Sequence, residues 1–370
     1  MDKIRIGIIG CGGMGQAHLG IIKDLPTHEF TAACDTFEGN LTKVCDTYGV
    51  KGFSTPEAML DSGLVDAVLI ATPHYFHVPS AVAAIERGIH VLCEKPLAVT
   101  ASDARKAIEA HKKNPKVVFG LMHQMRADPK WIQAKKIIES GCLGPIQRLS
   151  WIVTTWFRTQ AYYDSGSWRA TWEGEGGGVL LNQCPHQLDL LWWLAGSPSK
   201  VSAKINLGKF HNIEVEDDVT ATLEYPNGAT GIFVTTTGDV AGTNRLEIVC
   251  DAGKMVVEGE TIVVYQSDTS GKQFAYNSAT RMDTPQFTKI TYECPPSGGH
   301  KAAHINFADA ILNGAPIMAP GEQGIHAVDL ANAMIYSGLR NTESTYPTDQ
   351  PAYDKLLAEL VADAKKNKTK

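Results

Sequence analysis

The chain has 370 residues, too many for one ordinary core, so two domains are expected. Hydrophobic residues make up 44% and charged residues 20%, the balance of a globular protein rather than a disordered one. A net charge of -6 without a basic face argues against nucleic-acid binding, and no stretch approaches the roughly 18 apolar residues of a membrane span.

Met1-Asp2-Lys3 leads directly into the apolar run Ile4–Ile9, a strand's length and too short for a signal h-region. A cytoplasmic location is therefore expected. The eight cysteines are scattered with no C-x-x-C, which reads as reduced, mostly buried thiols. No metal site is expected, from these cysteines or elsewhere in the chain.

The first 120 residues alternate strand and helix signals. Short β-branched runs at 4–9, 30–34, 67–71, 91–93 and 117–121 are separated by helix-like stretches at 14–23, 42–48, 78–87 and 101–112. Strands separated by helices of that length give right-handed crossovers and a doubly wound parallel sheet. Beyond Pro129 the pattern changes. A helix-like run at 131–139 precedes an alternating segment at 146–155, and a Gly-rich turn at 174–178 leads into an apolar helix at 184–194. From 200 to 264 the period is two, with turns at Pro226-Asn227-Gly228 and Asp251-Ala252-Gly253, which predicts a mostly antiparallel sheet. Residues 267–286 read as a long polar loop, residues 301–312 and 324–338 as two closing helices, and the basic run 365–370 as a frayed tail. The expected fold is thus an α/β Rossmann domain over 1–122 followed by an α+β domain over 123–370, with closing helices within 301–340.

Gly10-Cys11-Gly12-Gly13-Met14-Gly15 matches G-x-G-x-x-G where a strand passes into a helix. Gly10 permits the tight turn, Gly12 lets backbone N–H groups approach a pyrophosphate, and Gly15 lets the helix pack on the sheet. Gly13 and Met14 complete that phosphate loop. Asp35 closes the second strand, 20 residues after Gly15, where an acid accepts both ribose hydroxyls. No Arg or Lys follows in Thr36-Phe37-Glu38, and a 2′-phosphate would meet Asp35 unpaired. NAD is expected over NADP.

Two later turns close predicted strands: Ala71-Thr72-Pro73-His74, and Glu94-Lys95-Pro96. Ligands of open α/β sheets bind outside the carboxyl ends of the strands. Thr72, Pro73, His77, Glu94 and Lys95 are therefore expected beside the cofactor. Together with the glycine fingerprint and the run Gly176-Gly177-Gly178-Val179-Leu180-Leu181-Asn182-Gln183-Cys184-Pro185-His186, these motifs resemble the glucose–fructose oxidoreductase / inositol dehydrogenase (Gfo/Idh/MocA) family over nearly the whole chain.

The resemblance implies that Lys95 hydrogen-bonds the reacting hydroxyl and that His186 is the general base when the alcohol is oxidised. The family usually has an aspartate four residues before that histidine, whereas this chain has Asn182. Asn can hold a hydrogen-bond geometry but cannot accept a proton or balance the Lys95 ammonium, so Asn182 is expected to act as a neutral positioner. The chemistry supports the same pair. A carbinol gives up hydride only as its hydroxyl loses a proton, which needs a base of near-neutral pKa, and a cation beside the oxygen stabilises alkoxide character. Asp189 lies one turn beyond His186; the resemblance implies that an acid at this spacing bonds a substrate hydroxyl, the alternative being that it orients His186.

Between Trp151 and Trp172 the chain is dense in aromatic residues interleaved with arginines. Arg158, Tyr163, Trp168 and Arg169, with His123 and Arg126 following the 117–121 run, are expected to line the substrate pocket. That richness points to a substrate larger than a free polyol, and the Trp-Arg-x-Thr-Trp pattern looks like a family branch that oxidises glycosides to keto-glycosides, often at C3. Two alternatives stay open: a glycoside-cleaving enzyme that oxidises the sugar transiently, and a non-catalytic NAD-sensing regulator. The family pairs subunits through the large sheet, so a homo-oligomer, a dimer or larger, is expected.

Overall fold

The computed structural model describes residues 3–368. In chain order its elements begin β1 (Ile4–Ile9), α1 (Gly13–Ile22), β2 (His28–Cys34), α2 (Glu38–Tyr48), β3 (Lys51–Phe53), α3 (Pro56–Leu60), β4 (Ala67–Ile70), α4 (His77–Glu86), β5 (His90–Cys93), α5 (Ala101–Lys113) and β6 (Phe119–Leu121). They continue as α6 (Pro129–Glu139), β7 (Ile146–Val153), α7 (Gln160–Tyr163), α8 (Pro185–Ala195), β8 (Lys200–Leu207), β9 (Glu216–Glu224), β10 (Thr230–Thr236), β11 (Asn244–Cys250), β12 (Gly253–Glu258) and β13 (Thr261–Gln266). The last are α9 (Gly271–Asn277), β14 (Thr288–Glu293), α10 (Gly299–Asn313), α11 (Gly324–Arg340), β15 (Ser344–Thr345) and α12 (Gln350–Lys368).

Contacts divide the chain into two compact units. The first holds residues up to Ala127 together with Glu173–Gly176 and Gly298–Val328; the second holds Asp128–Trp172, Gly177–Ser297 and the residues from Asp329 onward. The chain therefore crosses between units several times.

In the first unit six parallel strands run in the order β3-β2-β1-β4-β5-β6. Strand order reverses between β1 and β4, the position where such sheets bind ligands. One face is covered by α3, α4 and α5 through residues such as Met59, Ala81 and Ala104. The other is covered by α1, α2 and α10 through Leu19, Val44 and Phe307. Helix α5 shows how sequence produces this layer. Thr100 caps it by accepting the Asp103 N–H (3.1 Å), and Ala101, Ala104, Ala107 and Ala110 place a buried, small-residue stripe against its neighbours.

The second unit is built on a nine-stranded sheet, β14-β13-β12-β11-β7-β10-β9-β8-β15, antiparallel except for the parallel pair β7/β10. The period of two separates its faces. Leu149, Trp151 and Val153 of β7 and Phe233 of β10 are buried, and Trp131 of α6 packs 5.3 Å from Trp151. On the opposite face Ile152 and Ile232 are 40% and 42% exposed.

Three local expectations change. The 267–286 segment contains a helix, α9, capped by Ser270 Oγ accepting the Gln273 N–H. Short β3 and α3 carry too few residues to show periodicity. The 365–370 run is no frayed tail where it is described, because α12 continues through Lys368; Thr369 and Lys370 lie outside the described residues. All eight cysteines are free and five are buried, as reduced thiols in a packed interior should be. Among the described residues no helix is long and apolar enough to cross a membrane.

Candidate active site

At the reversal of strand order, β1 ends in the glycine loop. Gly10 has φ +99°, and a Cβ there would stand 2.5 Å from the Ala71 carbonyl oxygen at the end of β4. A Cβ on Gly15 would stand 2.1 Å from the Gly10 oxygen. Both positions are closed to any side chain. Gly12 and Gly13 instead face open space, and Met14 is 45% exposed. Helix α1 has no side-chain cap and no acid in its first turn, leaving its N–H groups to an anion.

Asp35 closes the loop from the far side. Its Oδ2 accepts the Cys11 N–H and its Oδ1 the Phe37 N–H, both at 2.7 Å. Each oxygen retains lone-pair capacity for a further donor. Thr72 Oγ1, just beyond β4, is buried with no protein partner. A loop shaped by glycine, an unblocked helix start, an anchored acid and an orphaned hydroxyl fit a dinucleotide. NAD is the form they fit, since no Arg or Lys follows Asp35 in Thr36-Phe37-Glu38 to meet a 2′-phosphate.

His77 holds the two strand-end turns together. Its Nδ1 lies 2.7 Å from the Pro96 oxygen and its Nε2 2.8 Å from the Thr72 oxygen. Burial pushes this imidazole below its usual value, and the two carbonyls oppose that shift. His74 is buried beside the Glu175 oxygen (3.1 Å), and desolvation pushes it down to about 3. Glu94 is 5% exposed; its Oε1 lies 2.7 Å from His18 Nε2, and its Oε2 accepts the Lys95 N–H at 3.1 Å. Lys95 is partly buried and joins Pro96 through a cis peptide. His123 and Arg126 are both buried, and Arg126 bonds Gln323 Oε1. Burial first, then the charges of Arg126 and Lys95, hold His123 well below the usual imidazole range. The first unit thus brings together the expected cofactor residues and, around Lys95, His123 and Arg126.

In the second unit, Glu216 organises the Gly-rich turn. Its fully buried carboxylate accepts the N–H groups of Gly178 (2.8 Å) and Leu180 (3.1 Å). A Cβ on Gly178 would fall 1.9 Å from the Glu216 carbonyl oxygen, so the turn is locked against β9. Asn182 follows, its N–H bonded to the Gly178 oxygen at 2.9 Å. His186 is half-buried in the first turn of α8, and Asp189 is fully buried one turn later.

The aromatic segment forms a layered stack. Arg158 lies 5.0 Å from the Tyr162 ring, while Arg169 lies 4.8 Å from that ring and 4.6 Å from Trp168. The Tyr162 hydroxyl accepts from Arg169 (3.1 Å) and Gln183 (3.3 Å), tying the stack to the turn that carries Asn182. Tyr163 is buried; its hydroxyl lies 2.9 Å from Thr237 Oγ1, and desolvation pushes it up to about 12. His211 bridges Asp217 Oδ2 (2.9 Å) and the Arg158 oxygen (3.0 Å).

Sequence reasoning passed over His18, Glu216, His211 and Asp217. For Glu216 and Asp217 a signal was present: adjacent acids opening the otherwise alternating strand β9, both fully buried.

Residues 4–121 match the family model described as "Oxidoreductase family, NAD-binding Rossmann fold", and residues 131–256 match the "GFO/IDH/MocA C-terminal domain". The rhizopine catabolism protein MocA of Rhizobium meliloti is 33% identical over 53% of this chain and 58% of its own length. Inositol 2-dehydrogenase of Corynebacterium glutamicum is 27% identical over 61% of this chain and 65% of its own length. The chain thus aligns with less than two thirds of either relative. Among solved structures, the WlbA dehydrogenase of Bordetella pertussis in complex with NADH and UDP-GlcNAcA is 28% identical, covers 94% of this chain and 100% of its own, and superposes with a TM-score of 0.78.

Proposed function

Because the chain belongs to the Gfo/Idh/MocA family of NAD-binding oxidoreductases, we propose that it is a dehydrogenase acting on a secondary hydroxyl of a sugar, cyclitol or glycoside. The observation that carries this reading is the anchored glycine loop after β1, at the switch point of the first sheet, with the Glu94-Lys95-Pro96 turn ending β5 on the same carboxyl edge. NAD, when bound, accepts the hydride. The chain's own residues handle the proton. His186 takes it from the reacting hydroxyl, Lys95 stabilises negative charge on that oxygen, and Asn182 orients the pair without sharing its charge. Asp189, buried one turn from His186, bonds a substrate hydroxyl or holds the imidazole.

The substrate class draws on two supports. Relatives are named for inositol oxidation and rhizopine catabolism, and the WlbA structure holds a nucleotide sugar. The stack of Arg158, Tyr162, Arg169 and Trp168 offers aromatic faces and guanidinium donors suited to a glycoside with a second ring, oxidised at C3. Ile152 and Ile232, exposed on the outer face of the large sheet, support a homo-oligomer paired through that face.

A panel of cyclitols, free sugars and aryl glycosides, each offered with NAD and followed at the nicotinamide absorbance, tests the reading. NADH formation with one class and none with NADP is expected. Release of aglycone without NADH would replace the dehydrogenase with the cleaving enzyme, and no turnover of any class would replace it with a regulator.

A further inference from the structure

Helices α1 and α10 and the end of β5 bring together His18, Glu94 and His300, with one ligating atom from each lying within 4.8 Å of the others. His18 and Glu94 are 1% and 5% exposed, unlike the exposed acidic clusters that surfaces commonly carry. His300 and His304 are one turn apart on α10 and share a face. The His18 ring lies edge-on to both, 5.2 Å from His300 and 5.1 Å from His304 between centroids.

We propose that His18, Glu94 and His300 form a site for one divalent transition-metal ion of the Zn²⁺ class. Two imidazoles and a carboxylate are a zinc donor set with a fourth position open to water, whereas Mg²⁺ and Ca²⁺ take oxygen ligands. Ligand bonds of about 2.0–2.2 Å place tetrahedral donor atoms roughly 3.3–3.5 Å apart, a spacing this cluster reaches with side-chain shifts of about an ångström. An outer partner is already in place, because His18 Nδ1 lies 2.9 Å from His304 Nε2. Such contacts fix the tautomer and orientation of a ligating imidazole.

A Glu94 carboxylate 2.7 Å from His18 Nε2 accepts from the ring when the ring carries its proton there. When the ion takes Nε2, the neutral ring carries its proton on Nδ1 instead and donates it to His304. His304 Nδ1 and His28 Nε2 are buried without hydrogen-bond partners, and the two rings lie 5.7 Å apart; a neutral His304 that accepts at Nε2 carries its own proton on Nδ1. Since the second Glu94 oxygen accepts the Lys95 N–H, an ion here acts directly on the turn that presents Lys95.

The test uses the full chain freed of metal by chelator. Calorimetric titration with ZnCl₂ is expected to give one ion per chain, and CoCl₂ to give the visible bands of tetrahedral cobalt. His300→Ala and His300→Gln, with thermal melts confirming that at least one folds, are expected to weaken binding at least tenfold, about the minimum seen when even an outer partner is lost. Cys142→Ser removes the exposed thiol and is expected to leave binding unchanged. Absence of a stoichiometric ion, wild-type affinity in a folded His300 variant, or loss of binding in Cys142→Ser would overturn the proposal.

Discussion

Asp35→Ala offers the most quantitative test of the cofactor site. The carboxylate is held by two backbone N–H groups at 2.7 Å, so it is set before any nucleotide arrives. Each oxygen can accept one ribose hydroxyl, and a hydrogen bond to a charged group contributes about 1.5–3 kcal/mol. The site is only partly buried, so solvent screening brings the pair to about 2–3 kcal/mol. At about 1.4 kcal/mol per tenfold, that is roughly a 30–150-fold loss of NADH affinity. NADPH should respond differently, because the same substitution removes the charge that repels its 2′-phosphate. Titration of nicotinamide fluorescence with both nucleotides reads both effects: NADH weakens, and the preference for NADH over NADPH narrows. NADH affinity within threefold of wild type, or an equal fall for NADPH, would refute the role given to Asp35.

Other consequences are equally direct. Gly15→Ala puts a methyl 2.1 Å from the Gly10 oxygen, so the β1–α1 joint must open; NADH binding is expected to be lost and the melting temperature to fall, and an unchanged melt would contradict the packing. His186→Ala is expected to lower turnover by about 10²–10⁴-fold, while a loss below about tenfold removes it as the base. Asn182→Ala should lower kcat with the fold intact; unchanged turnover would dismiss the neutral positioner. Burial holds His28 at about 4 and His74 at about 3, below the unfolded value near 6.5. Their contribution is complete above about pH 6.5 and is lost as pH falls towards those values, by about 1.4 kcal/mol per pH unit for each histidine. Denaturant midpoints should therefore drop between pH 7.5 and 5.5, less steeply in His28→Gln, and a flat profile would contradict the assignment.

What the sequence made legible follows from distance along the chain. Strands β1, β2, β4 and β5 are short apolar runs bounded by turns, and the G-x-G-x-x-G loop, Asp35 and the Glu94-Lys95-Pro96 turn sit at their ends, so local pattern sufficed. The alternation in β7–β13 likewise announced a half-buried sheet. Long-range partners left no such trace. That α10 packs beside α1 on the first sheet, rather than with the strands that precede it, depends on Phe307 meeting a core some 280 residues earlier in the chain. The same separation hid His18, Glu94 and His300, which no motif links. Glu216 was hidden differently: a buried acid in an alternating strand looks like an ordinary break in pattern until the Gly178 and Leu180 N–H groups are seen to need it.

The most direct test of hydride transfer uses the best substrate of the panel, deuterated at the carbon to be oxidised and mixed with NAD and the purified protein. The account predicts deuterium on the reduced nicotinamide, one equivalent per keto product, with a rate that collapses in His186→Ala. Deuterium found in solvent, or aglycone released with no labelled NADH, would contradict it.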